Sequence, residues 1–297
     1  MKKVSFSVLI LGCILSFKGF SLDLELIGGL GNLAFDQDLS SALSYQGKAF
    51  DPELFPLVLA RFSGEYMDLH YNAGFERGPL VRNRLFVNLK LERDYFSIEL
   101  GPFMGLFNSL SPLLNPGLSA GLSGGVPGIV FARINGSSTL GGITDIPGSY
   151  SQSTADISAG FWAPYAICSL NMSIRNFTFR QQNRLIEDEL TRYFFSTDVY
   201  TKNVPFTIKI DLGYQSLTRS YNSKEVSGTK IVNKSETDAY KSVFIGLEGT
   251  YTFSPKLKFL LGGEMPVFSW GERPMKDPSK STLLFQARAG VIWTIAE

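Results

Sequence analysis

The chain has 297 residues, 44% of them hydrophobic, 13% aromatic and 19% charged, against a usual charged fraction of about 25%. That apolar content excludes global disorder, and 28 Lys+Arg against 27 Asp+Glu leaves no electrostatic footprint for a nucleic acid. Two cysteines and one histidine exclude a disulfide scaffold and a Cys/His zinc centre.

Met1-Lys2-Lys3 is a basic start followed by an apolar run from Val4 to Phe17, and Gly19 and Ser21 are small residues placed for cleavage before Leu22. This is the anatomy of a cleaved secretory signal over residues 1–21. The rival reading takes Ile10-Leu11-Gly12-Cys13 as a lipoprotein box, but Cys13 is followed by Ile14, Leu15 and Phe17 where a polar tether is expected. Cleavage removes Cys13 and leaves Cys168 alone, so stability is expected to come without sulfur.

From residue 22 onward there is no apolar run of 18 residues, hence no membrane helix. Apolar and polar residues instead alternate with period two, the signature of a strand with one oily and one wet face. In chain order the alternation covers Leu22–Leu30, Met67–Phe75, Leu85–Leu91, Phe96–Leu106, Ile157–Ile167, Tyr193–Val199, Phe206–Tyr214, Val243–Phe253, Leu257–Val267 and Leu283–Ile295. Tight connections are expected at Arg93-Asp94, Asn203-Val204-Pro205 and Ser254-Pro255-Lys256, and long polar ones at Asp36–Glu53, Ser220–Ala239 and Gly271–Ser281. Ser109 to Gln152 is rich in Gly, Ser and Pro. Three readings of it stand: a loop folded into the interior as a constriction or plug, a surface loop, or an extra hairpin from Leu118–Ser123 and Ile129–Ile134.

The pattern predicts an all-β, antiparallel transmembrane β-barrel of about 12 strands, with a range of 10 to 14, over residues 22–297. The oily faces run nine to thirteen residues without an interrupting charge, and a tilted spanning strand needs about 9–11. The wet faces carry Glu25, Asp68, His70, Glu76, Arg84, Lys90, Glu92, Glu99, Arg192, Asp198, Lys209, Asp211, Glu248, Lys258, Glu264 and Arg288. These are the candidate lumen-lining residues. They read as the wall of a pore for small hydrophilic solutes, or as opposite charges that pair across strands and fill the barrel. Tyr66, Tyr71, Tyr95, Tyr193, Tyr214, Tyr251, Trp270 and Trp293 fall near strand ends, suited to interfacial girdles and equally to ordinary β-propensity.

The export signal, repeated amphipathic strands, alternation of short turns with long loops and a terminal strand resemble bacterial outer-membrane β-barrel (porin-like) proteins. The resemblance implies an outer-membrane location, contact with membrane lipid and insertion by the outer-membrane assembly machinery. It also implies a lumen that passes small solutes, with no cofactor, metal or nucleic acid and no catalytic residue. Two alternatives accompany the channel: a non-conducting surface barrel with adhesive or structural loops, and an outer-membrane hydrolase using His70. The hydrolase needs His70 to face lipid beside a serine, whereas His70 alternates in phase with Asp68 and Asn72 and no G-x-S-x-G elbow is present. Gly28-Gly29-Leu30-Gly31 lacks the spacing of a dinucleotide loop.

Overall fold

The computed structural model describes residues 21–31, 55–66, 69–78, 81–107, 113–143, 149–181, 184–200, 204–227, 230–272 and 285–296. Among them are β1 (Ser21–Gly31), β2 (Phe55–Tyr66), β3 (Leu69–Gly78), β4 (Val81–Glu92), β5 (Phe96–Phe107), β6 (Leu113–Val126) and β7 (Val130–Thr139). They are followed by β8 (Tyr150–Ala163), β9 (Ala166–Gln181), β10 (Arg184–Tyr200), β11 (Phe206–Ser227), β12 (Lys230–Ser254), β13 (Leu257–Glu272) and β14 (Gln286–Ala296). Each strand pairs antiparallel with its sequence neighbours, and β1 pairs with β14, from Leu22 opposite Ala296 to Gly31 opposite Gln286. The sheet therefore closes on itself. Residues 1–20 of the expected signal segment 1–21, and the loop 36–53, lie outside the described residues.

Which face points inward follows from contacts between strands that are not neighbours. Arg192 on β10 reaches Glu264 on β13 at 2.5 Å, and Arg84 on β4 donates to Ser137 on β7 at 3.1 Å. Side chains three strands apart can meet only on the concave side of a closed sheet. The opposite face presents Leu85, Val87, Leu89 and Leu91 on β4, and Ile210 and Leu212 on β11, with Leu89 50% and Leu212 53% exposed. In a protein with an aqueous exterior such rows would be covered. Here they form the outer belt, and no backbone group within it needs water, because the ladder is closed.

The turns at the end where the chain enters β1 are short. Val126-Pro127-Gly128-Ile129 is a β-turn in which the Ile129 amide donates to the Val126 carbonyl at 3.0 Å. Gly128 there has φ +74°, the left-handed value that a type II turn demands at its third position. Arg93-Asp94-Tyr95, Pro164-Tyr165 and Pro255-Lys256 join the neighbouring hairpins at the same end. Exposed Tyr95, Tyr165, Tyr251, Phe253 and Trp293 gather near it as an aromatic rim. At the far end the wall is uneven. The strands β1 to β5 have 10 to 12 residues, whereas β11 has 22 and β12 has 25. Because the turn ends are aligned, the surplus projects beyond the far edge of the belt.

Proline and glycine shape the ladder locally. Pairing of β4 with β5 lapses between Phe86–Phe103 and Leu89–Leu100, at Pro102, which has no amide hydrogen to give. Near Pro266, β13 bulges against β12: Phe244 faces Pro266 while Val243 faces Phe268. The extra residue turns both Val267 and Phe268 outward.

Four expectations are corrected. The barrel has fourteen strands, not about twelve. The strand β2 was not recognised because Leu57, Val58, Leu59 and Ala60 are apolar on both faces, which erases the alternation. Ile157–Ile167 is two strands, divided at Pro164-Tyr165. Of the three readings of 109–152 the extra hairpin is the one found, as β6 and β7 followed by the start of β8, and Ser220–Ala239, expected as a long loop, is the top of the β11–β12 hairpin. Gly, Ser and small residues make these strands polar or featureless by composition, yet the backbone hydrogen bonds form regardless of side chain. The segment 109–152 is accordingly no plug over the residues described.

Replacing Leu212 with Arg is expected to destabilise the folded barrel by about 2–4 kcal/mol, the cost of a cation at the lipid midplane. Thr207→Lys, on the inner face of the same strand, is expected to stay within about 0.5 kcal/mol. Equilibrium denaturation in lipid vesicles measures both.

Candidate functional site

The inner face of the belt is built from ion pairs laid along a strand, between neighbouring strands and, from β12 to β14, over the strand between them. Glu25 on β1 pairs with Arg61 on β2, directly opposite in the ladder. Glu76 on β3 pairs with Arg84 on β4 at 2.5 Å, Asp156 on β8 with Arg175 on β9 at 2.9 Å, and Glu248 on β12 with Arg288 on β14. Lys209 stands 3.8 Å from Asp211 on β11 and opposite Asp198 on β10.

Long side chains lie flat along this wall because glycines sit opposite them. Phe103 faces Gly117, Phe131 faces Gly160, Phe194 faces Gly213 and Glu248 faces Gly262. A Cβ on Gly117 would stand 2.1 Å from Phe103 Cζ. The glycine leaves room for its neighbour's ring, a packing also used to hold register in curved sheets. Arg192 rests over the Phe244 ring at 4.2 Å and near Phe194 at 5.5 Å, which fixes the guanidinium for its bond to Glu264.

Of the sixteen candidate lumen residues named from the sequence, Asp68 lies outside the described residues. Glu25, His70, Glu76, Arg84, Lys90, Glu92, Glu99, Arg192, Asp198, Lys209, Asp211, Glu248, Lys258, Glu264 and Arg288 all fall on the inner face. They do not form one cluster. His70, Lys90, Glu92 and Glu99 belong to the turn end, where His70 lies 3.8 Å from Glu65 and 3.5 Å from Glu92 and Lys90 pairs with Glu92. His70 therefore points to the interior, within reach of Glu65 and Glu92.

Farther up, residues from opposite sides of the barrel enclose a cavity of about 360 Å³. Its lining runs from Arg192 on β10 through Lys209, Asp211, Glu248 and Glu264 to Arg288 on β14, and continues on the next strands with Ile27, Leu57 and Leu59 from β1 and β2 and Glu76 and Arg77 from β3. No group of His, Cys, Asp or Glu suited to a metal ion occurs among the described residues.

Above the cavity the polarity of the strands inverts. On β10 the outward row changes from Val199, Phe195 and Tyr193 to Thr191, Glu189 and Glu187, while the inward row changes from Asp198, Ser196 and Arg192 to Leu190 and Ile186. On β11 the outward Ile210, Leu212 and Tyr214 give way to Ser216, Thr218 and Ser220, and the inward row gains Leu217 and Tyr221. On β9 the outward Leu170, Met172 and Ile174 give way to Asn176 and Thr178, and Phe177 and Phe179 turn inward. Phe177, Ile186, Leu217 and Tyr240 are buried there. Oil faces outward below this line and inward above it, so the line marks the membrane boundary.

Asp188 and Arg219, directly paired between β10 and β11, lie within that upper core with almost no exposed side-chain surface. Arg219 donates from Nε to Asp188 Oδ1 at 2.5 Å and from Nη2 to Oδ2 at 2.7 Å, the two-pronged geometry that offsets the cost of burying both charges. Sequence reasoning missed this pair, along with Arg61, Asp156 and Arg175. Asp188 and Arg219 stand beyond the segments where oily residues alternate in the membrane phase. The signal that marks them is the same alternation with its phase reversed: Ile186, Leu190 and Leu217 share their face.

No family model matches the chain, and no curated protein does. Among solved structures it is similar to a bacterial polysaccharide outer-membrane secretin, at 6% identity and a TM-score of 0.49, over 93% of this chain and 98% of that one. It is similar also to in-vitro folded OmpT, an outer membrane protein of Vibrio cholerae (8% identity, TM-score 0.43, 95% and 99% covered). An outer-membrane channel from Pseudomonas putida F1 matches at 8% identity and a TM-score of 0.45, with 93% and 95% covered. The molecule's own geometry states the fold: among the described residues, a closed, even-numbered antiparallel sheet with an apolar belt outside and ionised groups within is a transmembrane β-barrel of the outer-membrane type.

Replacing Asp188 or Arg219 singly with Ala is expected to cost about 3–5 kcal/mol by leaving one buried charge unmatched. The double change to Leu and Met is expected to cost less than either. Denaturant midpoints of the purified barrel in detergent measure the difference.

Proposed function

We propose that this barrel is a channel for the passive or facilitated passage of small solutes across the outer membrane. The observation that carries the reading is the cavity at belt level, enclosed by strands from opposite sides of the barrel and walled by Arg192, Lys209, Asp211, Glu248, Glu264 and Arg288. Ionised groups held inside a membrane are costly and mark solute or ion routes. The wall's positive and negative groups are close to balance, so discrimination by charge is weak and discrimination by size and shape is stronger. The chain's own residues do no covalent chemistry in this scheme. They supply a hydrated, sterically limited path.

A second reading, a non-conducting surface barrel, draws on the packed core of Phe177, Tyr240 and the Asp188–Arg219 pair above the cavity, and on the tall β11–β12 hairpin. Such a barrel would use its projecting wall for adhesion or anchorage.

Purified protein in planar lipid bilayers is expected to give discrete conductance steps with little preference between cations and anions. Absence of steps at every voltage would remove the channel reading and leave the surface barrel. Glu264→Gln, which leaves Arg192 unopposed, is expected to shift the reversal potential toward anion preference, and Arg192→Gln toward cations. His70→Ala is expected to leave conductance steps intact and to change no release of fatty acid from phospholipid vesicles.

A further inference from the structure

The inner face of the belt carries apolar residues as well as charged ones: Phe103, Phe131, Phe194 and Phe244 lie along the wall, and on β1 and β2 three aliphatic residues, Ile27, Leu57 and Leu59, border the cavity together. Their direction is fixed by the ladder. Ile27 lies opposite Leu59, and Leu59 opposite Glu76, whose partner Arg84 bonds across the interior to Ser137. Arg61, two residues along the same face of β2, pairs with Glu25. All three aliphatic side chains are only half-buried and line the cavity. Aliphatic surface turned to a hydrated space is unfavourable by about 25 cal/mol per Å². A channel meant only for water and small ions gains nothing from it.

In the same cavity stand Arg192 bonded to Glu264 and Lys209 beside Asp211, and next to Ile27, on the paired strand β14, Arg288 bonded to Glu248. Each pair sets a cation and a carboxylate side by side. A solute with one charge meets attraction and repulsion together on such a wall. A solute carrying both charges on one end has a partner for each: its carboxylate accepts from a guanidinium and its ammonium donates to the neighbouring carboxylate. Its remaining part then faces the aliphatic patch. The cavity of about 360 Å³ is at the small end of small-molecule sites.

We propose that the solutes this lumen favours are zwitterions with an aliphatic side chain, α-amino acids such as leucine or short peptides of them. The proposal rests on the channel reading and adds to it the class of solute. Arg192, Glu264, Arg288 and Glu248 orient the charged end, and Ile27, Leu57 and Leu59 take the apolar end.

The test uses the full-length mature protein in proteoliposomes, with potassium chloride conductance measured first on the same preparation. Leucine is expected to enter about fivefold faster than threonine, from partial burial of its extra methyl groups. It is also expected to outpace 4-methylpentanoate, which keeps the alkyl group and loses the ammonium, and leucinamide, which loses the carboxylate. In Leu57→Ser/Leu59→Ser the leucine rate, divided by the salt conductance of the same variant preparation, is expected to fall to the threonine rate divided likewise. A conducting wild-type protein that passes leucine and threonine alike, or 4-methylpentanoate as fast as leucine, overturns the solute class and leaves the channel standing. Equal slowing of every solute in the double variant assigns the patch to wall packing and likewise overturns it. A wild-type protein without salt conductance overturns the channel reading itself.

Discussion

The constraint on which the rest depends is the absence of hydrogen-bonding partners in hydrocarbon. Every amide and carbonyl inside the membrane must be matched by the chain itself, and a meander of strands does this only when its ends meet. The pairing of β1 with β14, which joins the start of the chain's strand region to its end, is therefore what makes the other thirteen interfaces tenable in lipid. Closure also creates the two environments that the side chains divide between them. With period two, each residue is committed to one or the other by position alone.

Two physical devices let ionised groups remain inside. Cross-strand pairs such as Glu76–Arg84 and Asp156–Arg175 neutralise locally, and cross-lumen pairs such as Arg192–Glu264 tie walls that the ladder does not join. Glycines opposite bulky inward residues give Phe103, Phe131, Phe194 and Glu248 room to lie along the wall, which keeps the interior from filling entirely. What remains is a cavity bordered by balanced charge and by aliphatic surface.

The strands also record where the membrane stops. Along β8 to β12 one continuous ladder passes from lipid into water, and its side-chain polarity reverses without any break in hydrogen bonding. Below the reversal an inward arginine is at home beside a carboxylate and an outward leucine beside acyl chains. Above it the same backbone has glutamate and threonine outward and phenylalanine and isoleucine inward, as in a water-soluble sheet. The Asp188–Arg219 pair sits in this upper region, where it is enclosed by apolar groups and held by its two-pronged geometry.

The sequence by itself determined the class of fold and its sidedness, because alternation over Phe206–Tyr214, Val243–Phe253 or Leu85–Leu91 is a direct imprint of a strand between lipid and an ionised interior. Phase within such a strand also fixes which polar residues share a face, so Arg84, Lys90 and Glu92 could be grouped before any contact between them was known. Only the tertiary structure decided the number of strands, which of those residues meet, and where the phase reverses. Alternation is silent where both faces are apolar, as at Leu57–Ala60, and in the Gly-rich β6 and β7 it leaves a hairpin as one of three readings. Pairing depends on register between strands far apart in the chain: Arg192 and Glu264 are 72 residues apart, and no local pattern carries that distance. The reversal escaped because a side chain's burial is set by what surrounds the barrel at its height, and the medium changes along the axis while the period of the strand does not.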